Sequence, residues 1–379
     1  MISLESEQRD ALVESAERFI ADRYPASEHL QRLQSESRFS HERWCEIVDL
    51  GWLSTSVSES SGGLGLKYSI LSHLVEALGR GLILEPFASQ VALGGYILDA
   101  AFGGELRDRA VRQWLVGEAV VAFADQGSRK AGFFDRGGDL SVEFSDAHYT
   151  LTGTKAVVID GSSAGYFLIS ATLLDSENTY SVFLIPAQSE NLLISKYRSF
   201  DGRDLADLEF RGVEIPASLR LEFDHSAMRI VEEAKTLFAL LIACESLGIM
   251  KTVVEMTYRY LNEREQFGVK IAEFQALQHR VANLLLASTR AESLVAIARQ
   301  QTDEFGLSAA RDSIAAANNR CTTIGTFIAQ EAIQLHGAIG MTDEFILGHY
   351  LKRLTANGFI AGSSDEQFFR FMALREFGT

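Results

Sequence analysis

The amino-acid sequence predicts an α+β protein with an N-terminal helical domain, a middle antiparallel β-barrel or sandwich, and a C-terminal helical bundle. Three observations predict this order. Apolar residues recur at helical spacing up to about residue 118, short strand-like runs follow, and long helical stripes return from about residue 225. The last of the four prolines is Pro216, so no proline interrupts the final helices. The predicted domains are 1–118, 119–224 and 225–379.

The N-terminal domain is predicted from an apolar stripe that begins at Leu4 and Leu12 and from similar patterns at 43–53 and 70–78. Between these patterns lies the glycine-rich segment SESSGGLGL at 58–66. It lacks the third glycine of a dinucleotide-binding fingerprint and the Gly-Lys-Ser/Thr ending of a P-loop. We therefore interpret this segment as a turn between two helices.

The middle domain is predicted from short apolar or alternating runs separated by turn-forming residues. The runs are 120–124, 149–151, 155–159, 166–171, 180–185, 192–197 and 205–213. Turn signals lie between them at 137–138, 153, 160–163, 175–178 and 201–203. This pattern favours an antiparallel barrel or sandwich over a doubly wound parallel sheet.

The C-terminal domain is predicted from three long helical stripes. They are 231–249, 274–294 and 312–336. Helices of this length with short breaks are typical of a bundle.

Net charge and cysteine content argue against several classes of protein. The chain carries 35 basic and 51 acidic residues, a formal net charge of −16, so a nucleic-acid backbone would be repelled. Cys45, Cys244 and Cys321 are too widely spaced for a disulfide framework or a metal cluster, which favours a reducing cytoplasm. The first residues do not resemble a signal peptide, and no apolar run is expected to span a membrane. We therefore expect a cytoplasmic protein with no metal, nucleic-acid or membrane partner.

Two segments of the last domain carry candidate binding residues. The first reads YLNEREQFG at 260–268 and continues as FQALQHR at 274–280, and the second reads AIQLHGAIG at 332–340. Arg264 offers a planar fork of donors that suits a diphosphate. From the residues alone, a surface helix end is the alternative for Arg264, and a glycine-terminated helix is the alternative for the second segment.

Together with the helical–β–helical order, these segments resemble the flavin-dependent acyl-CoA dehydrogenase family over nearly the full chain. They are most similar to the small subunit of two-subunit members, such as the pimeloyl-CoA type. The resemblance implies FAD as cofactor, an acyl-CoA substrate and an electron-transfer flavoprotein as electron acceptor. It also implies either a homotetramer or a heterotetramer with a second dehydrogenase subunit.

The resemblance further implies roles for individual residues. In the family, the arginine matched by Arg264 reaches across a subunit interface to the FAD diphosphate. The other cofactor-binding residues implied in this way are Gln266, Phe267, Gln275, Gln334 and Gly337, the last two on the adenine side of the neighbouring subunit's cofactor.

The middle domain departs from the family pattern where residues would face the flavin ring. Ala124 stands where a hydroxyl would serve the flavin, Val157 replaces a Trp, and Ile159 replaces a Thr. Aliphatic side chains supply neither the stacking surface nor the hydrogen bonds of the residues they replace.

The position of the catalytic base also differs from the family pattern. Dehydrogenation needs a carboxylate that takes the α proton of the thioester while the flavin takes the β hydride. The usual family position, before a Gly-Ser-Ser turn, holds Ala361, and the alternative position on the first long helix holds Leu237 and Phe238. Glu245 is the candidate base, because it lies on the apolar face of its helix, where desolvation raises the pKa of a carboxyl group. The alternative role for Glu245 is a buried acid paired with an arginine.

Two functions are therefore predicted. The first is α,β-dehydrogenation of an acyl-CoA by an FAD-dependent subunit. The second is a non-catalytic partner subunit of a heteromeric dehydrogenase, which completes the FAD site of its partner through residues such as Arg264, Gln266 and Gln334. The asymmetry between retained nucleotide residues and missing ring and base residues favours the second.

Overall fold

The computed structural model of the protein describes residues 4–35, 38–128, 132–134, 140–173 and 179–376. Its N-terminal part is helical. The helices are α1 (Leu4–Arg23), α2 (Ala26–Gln34), α3 (His41–Asp49), α4 (Tyr68–Arg80), α5 (Phe87–Ser89), α6 (Tyr96–Ala100) and α7 (Glu105–Leu115). A π-helical turn, Gln90–Gly95, separates α5 from α6. The glycine-rich segment at 58–66 connects α3 to α4, as predicted.

The middle part is built from strands. They are β1 (Val120–Ala124), β2 (Leu140–Ser145), β3 (His148–Ile159), β4 (Ala164–Thr172), β5 (Tyr180–Pro186), β6 (Leu192–Arg198), β7 (Asp204–Pro216) and β8 (Arg220–Leu221). Two four-stranded sheets result, ordered β1-β4-β5-β8 and β2-β3-β7-β6. Every strand-like run of the sequence lies in one of these strands, whereas β2 and β8 are not predicted. The turn signals at 137–138 and 175–178 lie outside the described residues.

The two sheets share one apolar core and form a sandwich. Phe167 and Ile169 of β4 and Leu208 and Phe210 of β7 belong to this core, and each is at most 1% exposed. The described strands do not close into a barrel, so the sandwich is the correct alternative. The expectation of a wholly antiparallel arrangement is wrong for β1 and β4, which are parallel. Parallel pairing is available because the chain passes through β2 and β3 of the other sheet before it returns as β4.

β3 is longer than the sequence pattern suggests. Gly153, predicted as a turn between two strands, lies inside β3 with φ 137° and pairs with Phe210 of β7. Glycine adopts this conformation without a Cβ clash, so the strand continues through it. The register shifts between Lys155 and Val158, and Val157 has φ 54° there. This bulge therefore holds a β-branched residue in a strained backbone conformation.

The C-terminal part returns to long helices. They are α8 (Ala227–Glu263), α9 (Gln275–Phe305), α10 (Arg311–His336), α11 (Leu347–Ile360) and α12 (Ser364–Glu376), and a small hairpin of β9 (Glu265–Gln266) and β10 (Val269–Lys270) follows α8. The three predicted stripes correspond to α8, α9 and α10.

Two of these helices are long and apolar enough to cross a membrane by length and composition, contrary to the sequence-based expectation. In α8, 89% of the most apolar window is buried inside the protein, which is the property of a core helix. In α9 the buried share of that window is 33%.

Contacts divide the chain into two compact units. Unit 1 comprises Met1–Glu36, Lys67–Ile83 and Ala239–Thr379, and unit 2 comprises Ser37–Leu66 and Leu84–Phe238. The division into three domains at residues 118 and 224 stays a prediction.

In unit 1, the backbones of α4 and α8 touch where the two helices cross. A Cβ atom added to Gly248 of α8 would lie 1.9 Å from the carbonyl oxygen of Glu76 in α4. One added to Gly79 of α4 would lie 2.4 Å from the carbonyl oxygen of Glu245 in α8. Such distances exclude any side chain, so glycine at both positions sets the spacing of the two helices.

Gly248→Ala is expected to lower the free energy of unfolding by at least about 2–3 kcal/mol, because the added methyl group forces two backbones apart. Urea denaturation followed by circular dichroism measures this loss. Gly348→Ala is the matched control, since Gly348 lies in α11 and nothing stands within 4 Å of its missing Cβ. The control should match the wild type or exceed its stability by about 0.5–1 kcal/mol. Equal stability of the two variants would contradict a tight crossing.

His29 of α2 is a buried histidine whose pKa is strongly displaced. It is 2% exposed. Burial, and after it the positive charge of Arg353, lowers the pKa of His29 from 6.5 to about 3. Burial likewise lowers the pKa of His73 in α4 to about 4. Because the unfolded chain accepts these protons first, the stability from both neutral imidazoles is present above pH 6.5 and is lost as the pH falls toward the folded pKa values.

Between pH 7.5 and pH 5, His29 is expected to remove about 2 kcal/mol from the free energy of unfolding. Urea denaturation of the wild type and of His29→Gln at both pH values checks this, because the variant should lose less stability on acidification. His148→Gln is the control, since His148 is exposed and its variant should follow the wild type. A His29→Gln variant with the full wild-type pH dependence would show that His29 is not responsible.

Candidate functional site

The first predicted binding segment forms a hairpin after α8. Phe267 and Gly268 join β9 to β10, and their φ angles of 56° and 81° place both residues in the left-handed region. Phe267 is 92% exposed, and its ring meets the Phe274 ring edge-on with centroids 6.2 Å apart. Arg264 precedes the hairpin, is exposed, and makes no side-chain hydrogen bond or ion pair with a described residue. Gln266 is exposed too, and its amide group donates to the Glu265 carbonyl oxygen at 2.8 Å.

The second predicted segment lies beside this hairpin because two rings join α8 to α10. Tyr260, one turn before Arg264, stacks on His336 with ring centroids 4.4 Å apart. The Tyr260 hydroxyl also donates to the His336 carbonyl oxygen at 3.2 Å. Gly337 follows α10 with φ 66°, and Gln334 is exposed in the last turn of the helix.

An ion pair joins the N-terminal part of α9 to the C-terminal part of α10, beside the hairpin. Arg280 of α9 donates to the carboxylate of Glu331 in α10 at 2.9 Å, and Gln275, the first residue of α9, is exposed. The structure thus gathers all six predicted cofactor-binding residues at one exposed end of unit 1: Arg264, Gln266, Phe267, Gln275, Gln334 and Gly337.

Glu245, the candidate base, is buried in α8 and paired. One carboxylate oxygen accepts a hydrogen bond from Nη1 of Arg353 in α11 at 2.8 Å, and the other accepts one from Nδ2 of Asn357 at 3.1 Å. Glu245 is 6% exposed and Arg353 is 2% exposed. This geometry is that of the structural alternative, a buried acid paired with an arginine. A role of Glu245 as a base stays a prediction.

Ala361 occupies the position where the resemblance expects a catalytic carboxylate. It ends α11 and is fully buried, and Gly362 follows with φ 89°. The next acids belong to the start of α12, where Ser363 and Glu366 cap the helix reciprocally. The Ser363 N–H donates to the Glu366 carboxylate at 2.8 Å, and the Glu366 N–H donates to the Ser363 hydroxyl at 3.2 Å. The turn therefore presents a methyl group and a carboxylate already used in capping.

A buried charged group that the sequence patterns do not predict lies in unit 2, at the end of β1. Asp125 follows β1, and its carboxylate accepts from Lys235 of α8, from Ser170 of β4 and, at 2.9 Å, from the Tyr180 hydroxyl of β5. Its carbonyl oxygen accepts from Nζ of Lys155 in β3 at 2.8 Å. These five residues are named the Asp125 cluster, and all except Tyr180 are at most 5% exposed.

Charge pairing sets the ionisation of the Asp125 cluster. Burial opposes the charged carboxylate, but the Lys235 ammonium group beside it holds the pKa of Asp125 below its usual value. Burial and the negative charge of Asp125 raise the pKa of Tyr180 well above its usual value. The sequence signals for this cluster are an acid directly after an apolar strand and a lysine within the apolar first half of α8. Each signal alone is ambiguous, because their contact depends on the fold.

Of the residues that the resemblance assigns to the flavin ring, Ala124 directly precedes Asp125, and Val157 follows Lys155 in β3 by two positions. The Ala156 N–H donates to the Gln126 carbonyl oxygen at 2.8 Å, which fastens the segment after β1 to β3. Ala124 lies within the sandwich core. The Val157 N–H donates to the carboxylate of Asp207 at 3.0 Å.

The two sets of residues fit FAD differently. The exposed residues around Arg264 present donors that suit the diphosphate and adenine of a nucleotide. At the end of β1, Ala124, Val157 and Ile159 provide no donor side chain, and the polar groups of the Asp125 cluster are bonded to one another. The side chains around Arg264 therefore suit the nucleotide half of FAD, whereas the side chains of Ala124, Val157 and Ile159 offer no hydrogen bond to a flavin ring. Within the described ranges, no group of three or more His, Cys, Asp or Glu side chains is arranged to hold a metal ion.

Comparison with known proteins decides the family. The family model for the acyl-CoA dehydrogenase N-terminal domain matches residues 6–118, and the model for the C-terminal domain matches residues 228–369. The chain belongs to the acyl-CoA dehydrogenase family. Its members are FAD-dependent oxidoreductases that act on acyl-CoA thioesters, which confirms the family predicted from the motifs around Arg264 and Gln334. The pimeloyl-CoA subtype stays a prediction.

Individual acyl-CoA dehydrogenases match over nearly the whole chain. FadE27 of Mycobacterium tuberculosis, an acyl-CoA dehydrogenase, is 27% identical over 357 residues, which cover 92% of each protein. The ChsE4–ChsE5 complex of M. tuberculosis shares the fold with a TM-score of 0.88 and 22% identity, over 98% of both chains. PigA with FAD and proline shares it with a TM-score of 0.89 and 21% identity, over 100% of this chain and 98% of PigA. Solved relatives thus include a two-protein complex and an FAD complex.

Glu245→Gln is expected to lower the free energy of unfolding by about 3–5 kcal/mol, because it leaves Arg353 buried without its counter-charge. Adding Arg353→Met should recover most of this loss, since the uncompensated charge is then removed. Glu331→Gln is the control, because the Arg280–Glu331 pair is about one-third exposed and should contribute no more than about 1 kcal/mol. A Glu245→Gln variant that keeps wild-type stability but abolishes acyl-CoA oxidation in a preparation that is active with the wild-type chain would contradict the structural role and support a base.

Proposed function

We propose that this chain is a subunit of a heteromeric acyl-CoA dehydrogenase that completes the FAD site of a second dehydrogenase subunit. The observation that carries the proposal is the exposed side chain of Arg264, whose guanidinium group has no hydrogen-bond or ion-pair partner among the described residues. The chain's own flavin-ring position and base position, by contrast, hold aliphatic residues such as Val157 and Ala361.

The chemistry of the reaction suggests which role each of the two subunits has. When bound, FAD supplies the hydride acceptor, and a carboxylate must remove the α proton of the acyl-CoA. In our proposal the partner subunit supplies that carboxylate, because Ala361 lacks an acceptor and Glu245 is paired with Arg353. Arg264 contributes a charge-assisted, two-point contact to the diphosphate of the partner's FAD, and Gln334 contributes an amide on the adenine side.

The exposed Phe267 supports an intersubunit role for this end of the molecule. A large apolar residue in a left-handed turn that keeps 92% of its surface exposed, with a single edge-on contact to Phe274, is explained when a second subunit covers it. Coverage by a partner would also order the Arg264 side chain before it meets the nucleotide. The same proposal includes a cytoplasmic location, an acyl-CoA as substrate and an electron-transfer flavoprotein as electron acceptor.

Arg264→Ala in the complex with a second acyl-CoA dehydrogenase subunit from the same organism is expected to weaken FAD binding at least about tenfold, because a bidentate charged contact is lost. The Arg264→Lys complex should bind FAD with an affinity between those of the wild type and Arg264→Ala, since lysine keeps the positive charge and loses the planar pair of donors. FAD per complex, measured by absorbance after dilution, gives the result. Arg259→Ala is the control, because Arg259 is exposed one turn earlier and pairs with Glu255 at 3.2 Å.

The competing function is a self-sufficient FAD-dependent dehydrogenase that works as a homotetramer. It predicts that the chain purified alone carries stoichiometric FAD and reduces an artificial electron acceptor with acyl-CoA. That result would overturn the partner-subunit proposal. Full FAD content in the Arg264→Ala complex would overturn the role of the hairpin.

A further inference from the structure

A buried carboxyl group at the end of β3 contacts the helical segment that follows α4. Asp160 comes directly after β3 and is 7% exposed, and its backbone N–H donates to the Asp204 carbonyl oxygen at 3.0 Å. The Asp160 carboxyl group is hydrogen-bonded to the hydroxyl group of Ser89, the last residue of α5, which is also 7% exposed. This pair, named the Ser89–Asp160 contact, joins the end of β3 to the start of the π-helical turn Gln90–Gly95.

The Ser89 hydroxyl group has one hydrogen and two neighbouring oxygen acceptors. Its oxygen lies 2.9 Å from the Pro86 carbonyl oxygen and is also within hydrogen-bond distance of the Asp160 carboxyl group. A carbonyl oxygen can only accept, and a hydroxyl group can donate only once. When Ser89 donates to Pro86, the hydrogen of the second bond must come from Asp160. Both hydrogen bonds are therefore complete only when Asp160 is protonated.

The charges around Asp160 do not compensate an ionised carboxylate there. Asp160 forms no ion pair with a residue that the structure describes. The charged groups that act on it are Arg203 and Asp204. Arg203 is paired with the buried carboxylate of Asp201 at 2.9 Å, and Asp204 carries the same sign of charge as Asp160. Burial therefore raises the pKa of Asp160 from 3.8 to about 7, because the positive charge of Arg203 and the neighbouring hydrogen bonds offset only part of the desolvation.

We propose that Asp160 is a proton-dependent switch that holds the segment 86–95 against the end of β3 when it is protonated and releases it when it ionises. The same segment has a second attachment in Gln90, whose side chain exchanges two hydrogen bonds with the backbone of Val121 in β1, at 2.9 and 3.0 Å. An amide side chain does not titrate, so of these two attachments only the Ser89–Asp160 contact responds to pH. The switch goes beyond the proposed function and does not rest on it.

The direction of the pH dependence follows from the two states of Asp160. In the released state the carboxyl group is solvated and ionises near its ordinary pKa of 3.8, whereas in the closed state it keeps its proton up to about pH 7. The stabilisation of the closed state is therefore fully present below pH 3.8 and is lost as the pH rises toward 7. Above that pH both states are ionised, and the dependence on pH ends.

Hydrogen exchange of residues 87–95, measured by mass spectrometry on the wild-type chain and on Asp160→Asn at pH 5 and pH 7.5, tests the switch. Asparagine suits the left-handed backbone at this position, where φ is 62°, and its amide group donates to Ser89 at every pH. The ratio of the wild-type opening constant to that of the variant should rise at least about tenfold from pH 5 to pH 7.5. Comparison at equal pH removes the intrinsic pH dependence of exchange.

Asp146→Asn is the matched control, since Asp146 also has a left-handed backbone, with φ 50°, but is exposed. Its opening constant should follow that of the wild type at both pH values. A ratio between wild type and Asp160→Asn that stays constant from pH 5 to pH 7.5 would overturn the switch.

A second measurement needs no variant. The carboxyl carbon resonance of Asp160, assigned through its own Cβ in the labelled wild-type chain, should titrate near pH 7. Titration below pH 5 would overturn the proposal. Both measurements use the purified chain without FAD or a second subunit, so their outcome is independent of the Arg264 experiment, which measures FAD held by the complex.

Discussion

The close crossing of α4 and α8 is the constraint on which the interior of unit 1 depends. Because Gly79 and Gly248 carry no side chains, the two backbones touch, and charged groups nearby come within bonding distance. The Glu76 carboxylate accepts from Lys251 of α8 and from Arg299 of α9, both at 2.7 Å. The Glu76 carboxylate thus connects three helices, and its negative charge is compensated by Lys251 and Arg299. A wider crossing would separate the Glu76 carboxylate from Lys251 of α8.

A buried charge needs a partner of opposite charge. This requirement distinguishes the charged residues that support the fold from the exposed arginine that we propose to bind a ligand. Glu245 in unit 1 and Asp125 in unit 2 are both carboxylates in apolar surroundings, and each is held by a basic residue of a helix, Arg353 and Lys235 respectively. A carboxylate paired in this way stabilises the contact between the two elements that it joins. Arg264 differs because it is exposed and lacks such a partner among the described residues. The physical basis of the proposed function is this contrast in charge pairing.

Much of the fold was predictable because it depends on local periodicity. Stripes at helical spacing predicted α8, α9 and α10, and alternating runs predicted most strands of the sandwich. Gly153 was misleading because glycine is compatible both with a turn and with a continuous strand, and pairing with β7 decides between them. The parallel pairing of β1 with β4 was equally hidden, since it depends on the path of the chain between the sheets. For the site, the sequence motifs pointed to the Arg264 and Gln334 segments, and the structure adds that the stacked rings of Tyr260 and His336 join them. The roles of these segments toward FAD stay predictions.

By itself, the sequence determined the family, and it places Ala361 at the expected position of the base, where a methyl group cannot accept a proton in any fold. Only the tertiary structure decided which of the remaining charged groups are buried and paired with one another. Glu245 meets Arg353 across 108 positions of the chain, and Asp125 meets Lys235 across 110 positions. No local pattern records such distant contacts, yet the desolvation of a buried charge makes them decisive for the fold, because each buried carboxylate needs a basic partner.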